Sequence, residues 1–244
     1  MIEQARHVIL LALDTCDARG SVAVLRDAAV LRVVVHESRE DYSTWLLPAV
    51  RECLAGSGLK MEGVEAYAAA VGPGSFTGVR VGLTAVKAWA EVYGKKIAAV
   101  SRLEALAAEA TDGTSWVAAF ASAQRGQVFG AVYQRKGKRL ERLGDEMVIA
   151  PGKFLEAAEE AAKGERISWV STDAECLVGE EVWKAREQRG ERIESVSTVR
   201  APMIGWLGLE ALKEGRLTDA LTLDANYVRR SDAEIFWKGA ANAR

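Results

Sequence analysis

The feature that most constrains this chain is a change of hydrophobic period that occurs twice in the same order. Each half offers three strand-sized apolar stretches joined by short turns, then a helix, a strand and a helix. Val8–Leu13 is a continuous apolar run, the pattern of a strand buried on both faces. The turn Cys16-Asp17-Ala18-Arg19-Gly20 leads into a return strand at Ser21–Leu25, and a tight Arg26-Asp27 turn leads into a third at Val30–Val35. Turns this short make the three antiparallel neighbours. From Ser43 the period lengthens, with Leu46, Leu47, Val50, Cys53 and Leu54 on one helical stripe closed by Gly56. Pro48 lies several residues in, so this helix either starts late or kinks. A buried strand at Ala66–Val71, a helix at Thr77–Tyr93 stopped by Gly94, a strand at Ile97–Val100 and a helix at Arg102–Ala110 complete the half.

The second half repeats the theme. Trp116–Ala121, Gln127–Tyr133 and Leu140–Ile149 read as strands, and Pro151 stands where a helix carried by Lys153–Ala162 begins. A strand at Ile167–Ser171, a helix at Glu175–Arg189, a short strand at Arg192–Val196 and a helix at Pro202–Glu214 follow. No residue-level identity links the halves, so the duplication rests on element order. With 244 residues there is ample material for a real core. The longest apolar runs fall far short of the roughly 18 residues of a membrane span. The N-terminal run ends in Asp14 without a small-residue cleavage site, which reads as a core strand and not a signal peptide. Three scattered cysteines fit a reducing cytoplasm, and a net charge of −2 argues against the chain gripping nucleic acid alone.

Two stretches bear on chemistry. Gly72-Pro73-Gly74-Ser75-Phe76-Thr77 sits between a strand and a helix, where backbone N–H groups and the helix dipole can face a phosphate or nucleotide. The other reading is a sharp turn capped by Ser75 or Thr77. It is neither a P-loop nor a dinucleotide fingerprint, because the required spacings are missing. Asp14-Thr15-Cys16, at the mouth of the first strand, either faces a phosphate or a metal-bound water or caps its own turn. The two histidines, His7 and His36, lie in no metal-ligand spacing, so clustered-imidazole sites are excluded. No partner base for Cys16 is visible, which favours packing over nucleophilic work, and Glu159/Glu160 and Glu180/Glu181 read as solvated helix faces. The basic tip Arg135–Arg139 reads as a solvated hairpin turn, with RNA contact as its functional alternative.

Ile9-Leu10-Leu11-Ala12-Leu13-Asp14-Thr15, the GPGSFTGVRVG stretch at 72–82 and Tyr227-Val228-Arg229 together resemble the bacterial TsaB (YeaZ) family, which takes part in making threonylcarbamoyladenosine in transfer RNA. The glycine-rich stretch is quite specific; the other two are weak alone. The resemblance covers about 8–135 strongly and thins out to about 230. It implies an α/β chain with an actin/Hsp70/sugar-kinase-like (ASKHA) fold: two related subdomains, each a mixed sheet flanked by helices. The first would span 1–101, completed by the C-terminal helix region 202–230, and the second 102–201.

The same resemblance implies a non-catalytic subunit, scaffolding and activating a TsaD-like subunit that transfers threonylcarbamoyl to adenosine 37 of tRNA. A TsaE-like ATPase is the third partner, and the chain pairs with itself when alone. No cofactor is expected to bind this chain tightly; ATP and a metal belong to the partners or to the subunit interface, and tRNA is held mainly through the complex. The metal-bearing relative carries two histidines on the helix after the glycine-rich one, where this chain has Ser101 and Leu106, and no metal is expected here. Three departures stand out: Cys16 in place of Ser, Tyr42-Ser43 in place of His-Ser/Thr, and Ser122-Ala123-Gln124 in place of Asp-Ala-Arg. The rival reading is a free-standing ASKHA phosphotransferase or a peptidase-like hydrolase, whose catalytic Asp would fall near Ser122.

The glycine-rich helix shows two stripes. Val79, Leu83, Val86, Ala90 and Tyr93 suit the sheet. Gly78, Gly82, Ala85 and Trp89 form the second, where small residues four apart admit another helix closely, and the family resemblance implies that this stripe, with Trp45 and Leu46 of the preceding helix, is the partner surface. The alternative is packing inside the chain against the first helix.

Overall fold

The computed structural model describes residues 7–37, 39–137 and 139–228. The first sheet contains β1 (Ile9–Asp14), β2 (Ser21–Arg26), β3 (Ala29–Val35), β4 (Ala66–Ala70) and β5 (Lys96–Val100), in the order β3-β2-β1-β4-β5. Strands β1 to β3 form an antiparallel meander, and β4 and β5 add on in parallel. The second sheet holds β6 (Trp116–Ser122), β7 (Val128–Lys136), β8 (Arg139–Ile149), β9 (Ile167–Ser171) and β10 (Ile193–Ser195). Its order, β8-β7-β6-β9-β10, and its strand directions repeat those of the first. The duplicated element order is therefore a duplicated topology, that of the expected actin/sugar-kinase-like fold.

Helices cover both faces of the first sheet. Helix α1 (Tyr42–Gly56) packs on β2 and β3, α2 (Phe76–Tyr93) on β1, β4 and β5, and α7 (Ala201–Lys213) on β1, β2, β4 and β5. Leu10 of β1 lies under α7 and Leu13 under α2, on opposite faces as the period of two requires. This two-sided cover is why β1 is an unbroken apolar run, buried throughout. Gly205 and Gly208 bring α7 close to the sheet, since a Cβ at either would overlap Leu25 or Ala68. In the other half, α3 (Arg102–Ala107) lies on β6 and β7, and α4 (Pro151–Ala162) on β7 and β8. Beyond α7, Thr218 pairs with Ile97, and the Asn226 N–H donates to the Val71 carbonyl at 2.8 Å, drawing the chain's last described residues toward the β4 end.

Three expectations are corrected. Helix α1 starts at Tyr42, so Pro48 lies inside it and the late start is excluded. The helix beginning at Arg102 ends at Ala107, three residues early. The single helix expected over Glu175–Arg189 is two, α5 (Glu175–Val178) and α6 (Glu181–Gln188). Gly179 is a weak helix former, and Glu180 turns extended (ψ 136°), which re-aims the chain so that Trp183 is buried edge-on against Trp169, 5.7 Å between ring centroids. Among the described residues, no helix is long and apolar enough to cross a membrane.

Candidate functional site

The strand ends of both sheets meet at a cleft of about 770 Å³. Its walls are the turn after β1, the glycine-rich turn before α2, the start of α3, the β6–β7 loop and the segment Asn226–Val228. The two stretches singled out in the sequence are here one contact. A Cβ at Gly74 would overlap the Cys16 carbonyl, and Ser75 N donates to that same carbonyl at 2.7 Å. A Cβ at Gly78 would overlap the Thr15 carbonyl oxygen, while the Thr15 hydroxyl donates to the Gly78 carbonyl at 2.7 Å. The glycines let the first turn of α2 lie directly on the end of β1.

Two of the hydroxyls expected to face a ligand, Thr15 and Ser75, are thus held within the chain. Ser75 is the N-cap of α2, its Oγ accepting from Gly78 N at 3.3 Å, and Thr77 is exposed on the first turn. Gly72 adopts φ +108°, open to glycine alone, and its carbonyl accepts from Arg102 N at 2.8 Å. Asp14 is buried; one carboxylate oxygen accepts from Cys16 N at 2.7 Å, and Oδ2 has no hydrogen bond. Burial, with Asp14 beside it, raises the Cys16 thiol well above its ordinary pKa, which fits packing and not a nucleophile.

The partner stripe needs correction at residue level. Gly78 and Gly82 are buried against Thr15 of the β1 turn, so neither a partner helix nor α1 explains them. Trp45 and Leu46 are buried as well, Trp45 in a ring cluster with His36 and Tyr42 at centroid distances of 5.0 and 5.8 Å. Of the expected set, only Ala85 and Trp89 retain partial exposure, and Leu47 of α1, omitted from it, is exposed.

Residues that the reading from sequence missed include Arg102 in the cleft lining and two carboxylates that hold its surrounding elements. Arg102, the first residue of α3, is buried and directs its guanidinium at Asp17 by a hydrogen-bonded ion pair and at Asp14 Oδ2, 3.5 Å from its Nε. Burial opposes its charge, but the two carboxylates outweigh that and hold its pKa above the ordinary value. A sequence signal existed: a cation in the first turn of a helix opposes the helix dipole and needs a reason. Glu146 of β8 accepts from the Ser101 hydroxyl, from Asn226 Nδ2 at 2.6 Å and from Arg142 at 3.1 Å. Asp173, after β9, accepts from Ser122 N at 3.0 Å and lies behind the loop where a catalytic Asp was sought.

Ser101 caps α3 and Leu106 is wholly buried, so the positions that would carry paired imidazoles do not fit a metal held that way. The basic tip is tied down: Arg135 donates to the Thr114 and Ala110 carbonyls, Lys136 pairs with Glu141, and Arg139 pairs with Glu214. Lys138 lies outside the described residues, as does Arg229 of the Tyr-Val-Arg motif. Tyr227 is at the cleft rim, its ring 5.1 Å from Phe76 and its hydroxyl accepting from Arg80 at 2.8 Å.

Two topologically equivalent sheets with a cleft at their strand ends define the ASKHA class. The family model for TsaD, the tRNA N6-adenosine threonylcarbamoyltransferase, matches residues 33–188, more than half of the chain. The TsaB protein of Bacillus subtilis is 28% identical over 93% of this chain and 97% of its own length, and that of Escherichia coli 35% identical over 52% and 55%. The solved structure of YeaZ from Pseudomonas aeruginosa superposes with a TM-score of 0.70 at 26% identity, covering 90% of this chain and 99% of that one. The chain belongs to the threonylcarbamoyltransferase family, in its TsaB (YeaZ) branch.

Proposed function

We propose that this chain serves tRNA threonylcarbamoyladenosine biosynthesis as a non-catalytic subunit, scaffolding and activating a TsaD-like catalytic subunit. The observation that carries this reading is the state of α3. Its Ser101 and Leu106 are an N-cap and a core residue, and neither side chain can stand in for a ligating imidazole. The buried thiol of Cys16 and the in-chain engagement of Thr15 and Ser75 leave the cleft without an activated nucleophile among its described residues. ATP and a metal then belong to the partners, a TsaE-like ATPase among them, and tRNA is held by the assembly in the cytoplasm. The exposed parts of α1 and α2, with Leu47, Ala85 and Trp89, are the surface for the catalytic subunit, or for a second copy when it is absent.

The test is turnover of ATP or threonylcarbamoyl-adenylate by the purified chain, alone and with the TsaD-like subunit. No steady rate alone and tRNA modification only with the partner is the expected result. Steady turnover by the chain alone would replace this reading with a free-standing phosphotransferase or hydrolase. A Trp89→Ala or Leu47→Asp change should weaken the heterodimer at least tenfold while leaving the monomer's melting curve in place.

A further inference from the structure

We propose that the Arg102 guanidinium is a built-in counter-ion for the cleft: it takes the place opposite Asp14 that a cation carrying a nucleotide's phosphates would need, and it ties α3 to the β1 turn. The cleft between two such sheets invites a nucleotide with its cation, and the residues present do not fit one. Asp14 is 1% exposed and its Oδ2 lacks a hydrogen bond, an oxygen that demands positive charge. The charge that meets it is Arg102 Nε at 3.5 Å, itself without a hydrogen bond, on a side chain only 4% exposed. The same guanidinium donates to Asp17, and the Arg102 backbone N–H donates to the Gly72 carbonyl at 2.8 Å. One residue thus ties α3, which packs on the second sheet, to two turns of the first.

A cation seeking Asp14 would have to displace a buried, ion-paired arginine, and a phosphate entering the cleft would meet Asp17 of its lining beside that pair. A cation at Asp14 is opposed because its place is already filled by the arginine's charge. The inference concerns the chain by itself and does not depend on which partner it serves.

The full chain is tested by calorimetric titration and by melting curves with Mg²⁺ alone and with Mg·ATP. Wild type is expected to show no binding and no rise in Tm beyond that of NaCl at equal ionic strength. Arg102→Ala leaves two carboxylates without their counter-ion, and Tm should fall by about 10 °C. Millimolar Mg²⁺ should then recover at least half of that fall, and adding Asp14→Asn should abolish the recovery. Should Arg102→Ala fail to fold, the cycle of Asp14→Asn, Arg102→Met and the two together decides: the double variant should lose less than the sum of the single losses, because Asp14 and Arg102 answer each other's charge. Micromolar binding of Mg·ATP to wild type overturns the proposal. So does a foldable Arg102→Ala chain indifferent to Mg²⁺, and so does a double variant whose loss is the sum of the single losses.

Discussion

The two halves share a strand order yet pack in opposite styles. In the first, β4 runs through a glycine-rich turn into α2, 18 residues long, and Gly74, Gly78 and Gly82 set that helix directly on the β1 turn. In the second, β9 is followed by Thr172-Asp173 and the equivalent stretch breaks into helices of 4 and 8 residues. The first core is aliphatic and alanine-rich, with helices brought close by glycines. The second is built on Phe120, Phe154, Trp169 and Trp183, tilted or edge-on to one another at centroid distances of 5.7–6.1 Å. One topology thus tolerates two solutions: small residues with close backbones, or large rings packed against one another. The close-packed half builds the cleft floor, because only a helix seated on the strand ends can fix Asp14, Thr15 and Gly72 relative to Arg102.

The sharpest way to break this contrast is Gly78→Val. Its side chain would collide with backbone at Thr15, which cannot give, so a loss of more than about 3 kcal/mol, read by denaturant unfolding, is expected. Gly82→Leu belongs with it, since it would strike the Thr15 side chain and unfold the monomer instead of acting only on a partner. In the ring-packed half, Trp169→Ala removes the hub between Phe154 and Trp183 and takes from Glu191 the indole donor at 2.6 Å, leaving that carboxylate to its pair with Arg186. About 3–5 kcal/mol should be lost by the same measurement.

Gly179 tests the opposite case. Its φ of −76° suits any residue, and nothing lies within 4 Å of a Cβ there, so Gly179→Ala should stabilise by about 0.4–1 kcal/mol. A loss would mean that the break between α5 and α6 needs glycine for a reason other than conformation.

Two carboxylates sharpen the comparison through pH. Burial raises Glu104 above its usual range, with Glu146 and Glu210 adding to the effect against Arg216 and Arg142. A carboxyl raised by folding favours the fold while protonated, so its contribution is full below the unfolded pKa and lost as pH rises through the folded one. Glu104→Gln should therefore raise Tm at neutral pH and do little in acid. For Glu194 burial also pushes upward, but hydrogen bonds from Thr111 and Ser168 prevail and lower it. Its contribution is present above the unfolded pKa and lost as pH falls, so Glu194→Gln should lower Tm at neutral pH and matter little in acid. Paired melting curves at the two pH values decide both, and a matching sign would refute the contrast.

Ile9–Leu13, Ala66–Ala70, Trp116–Ala121 and Ile167–Ser171 announce themselves as central strands because burial on two faces leaves no room for polar residues. The stop at Gly94 is legible too, since the left-handed cap favours glycine there. Local pattern thus determined the strand order's raw material, the turns and the long α2. What it could not determine is which distant surfaces meet. Gly78 and Gly82 suit a partner helix or a strand end equally well on sequence spacing, and only the three-dimensional path of Thr15 chooses. Arg102 lies 88 residues from Asp14 in sequence and within 3.5 Å of it in space; Glu146 and Asn226 are likewise 80 apart and hydrogen-bonded. A side chain's role in a cleft depends on charge and space supplied by other elements, and hydrophobic periodicity, which reports only whether a residue faces inward, carries no record of them.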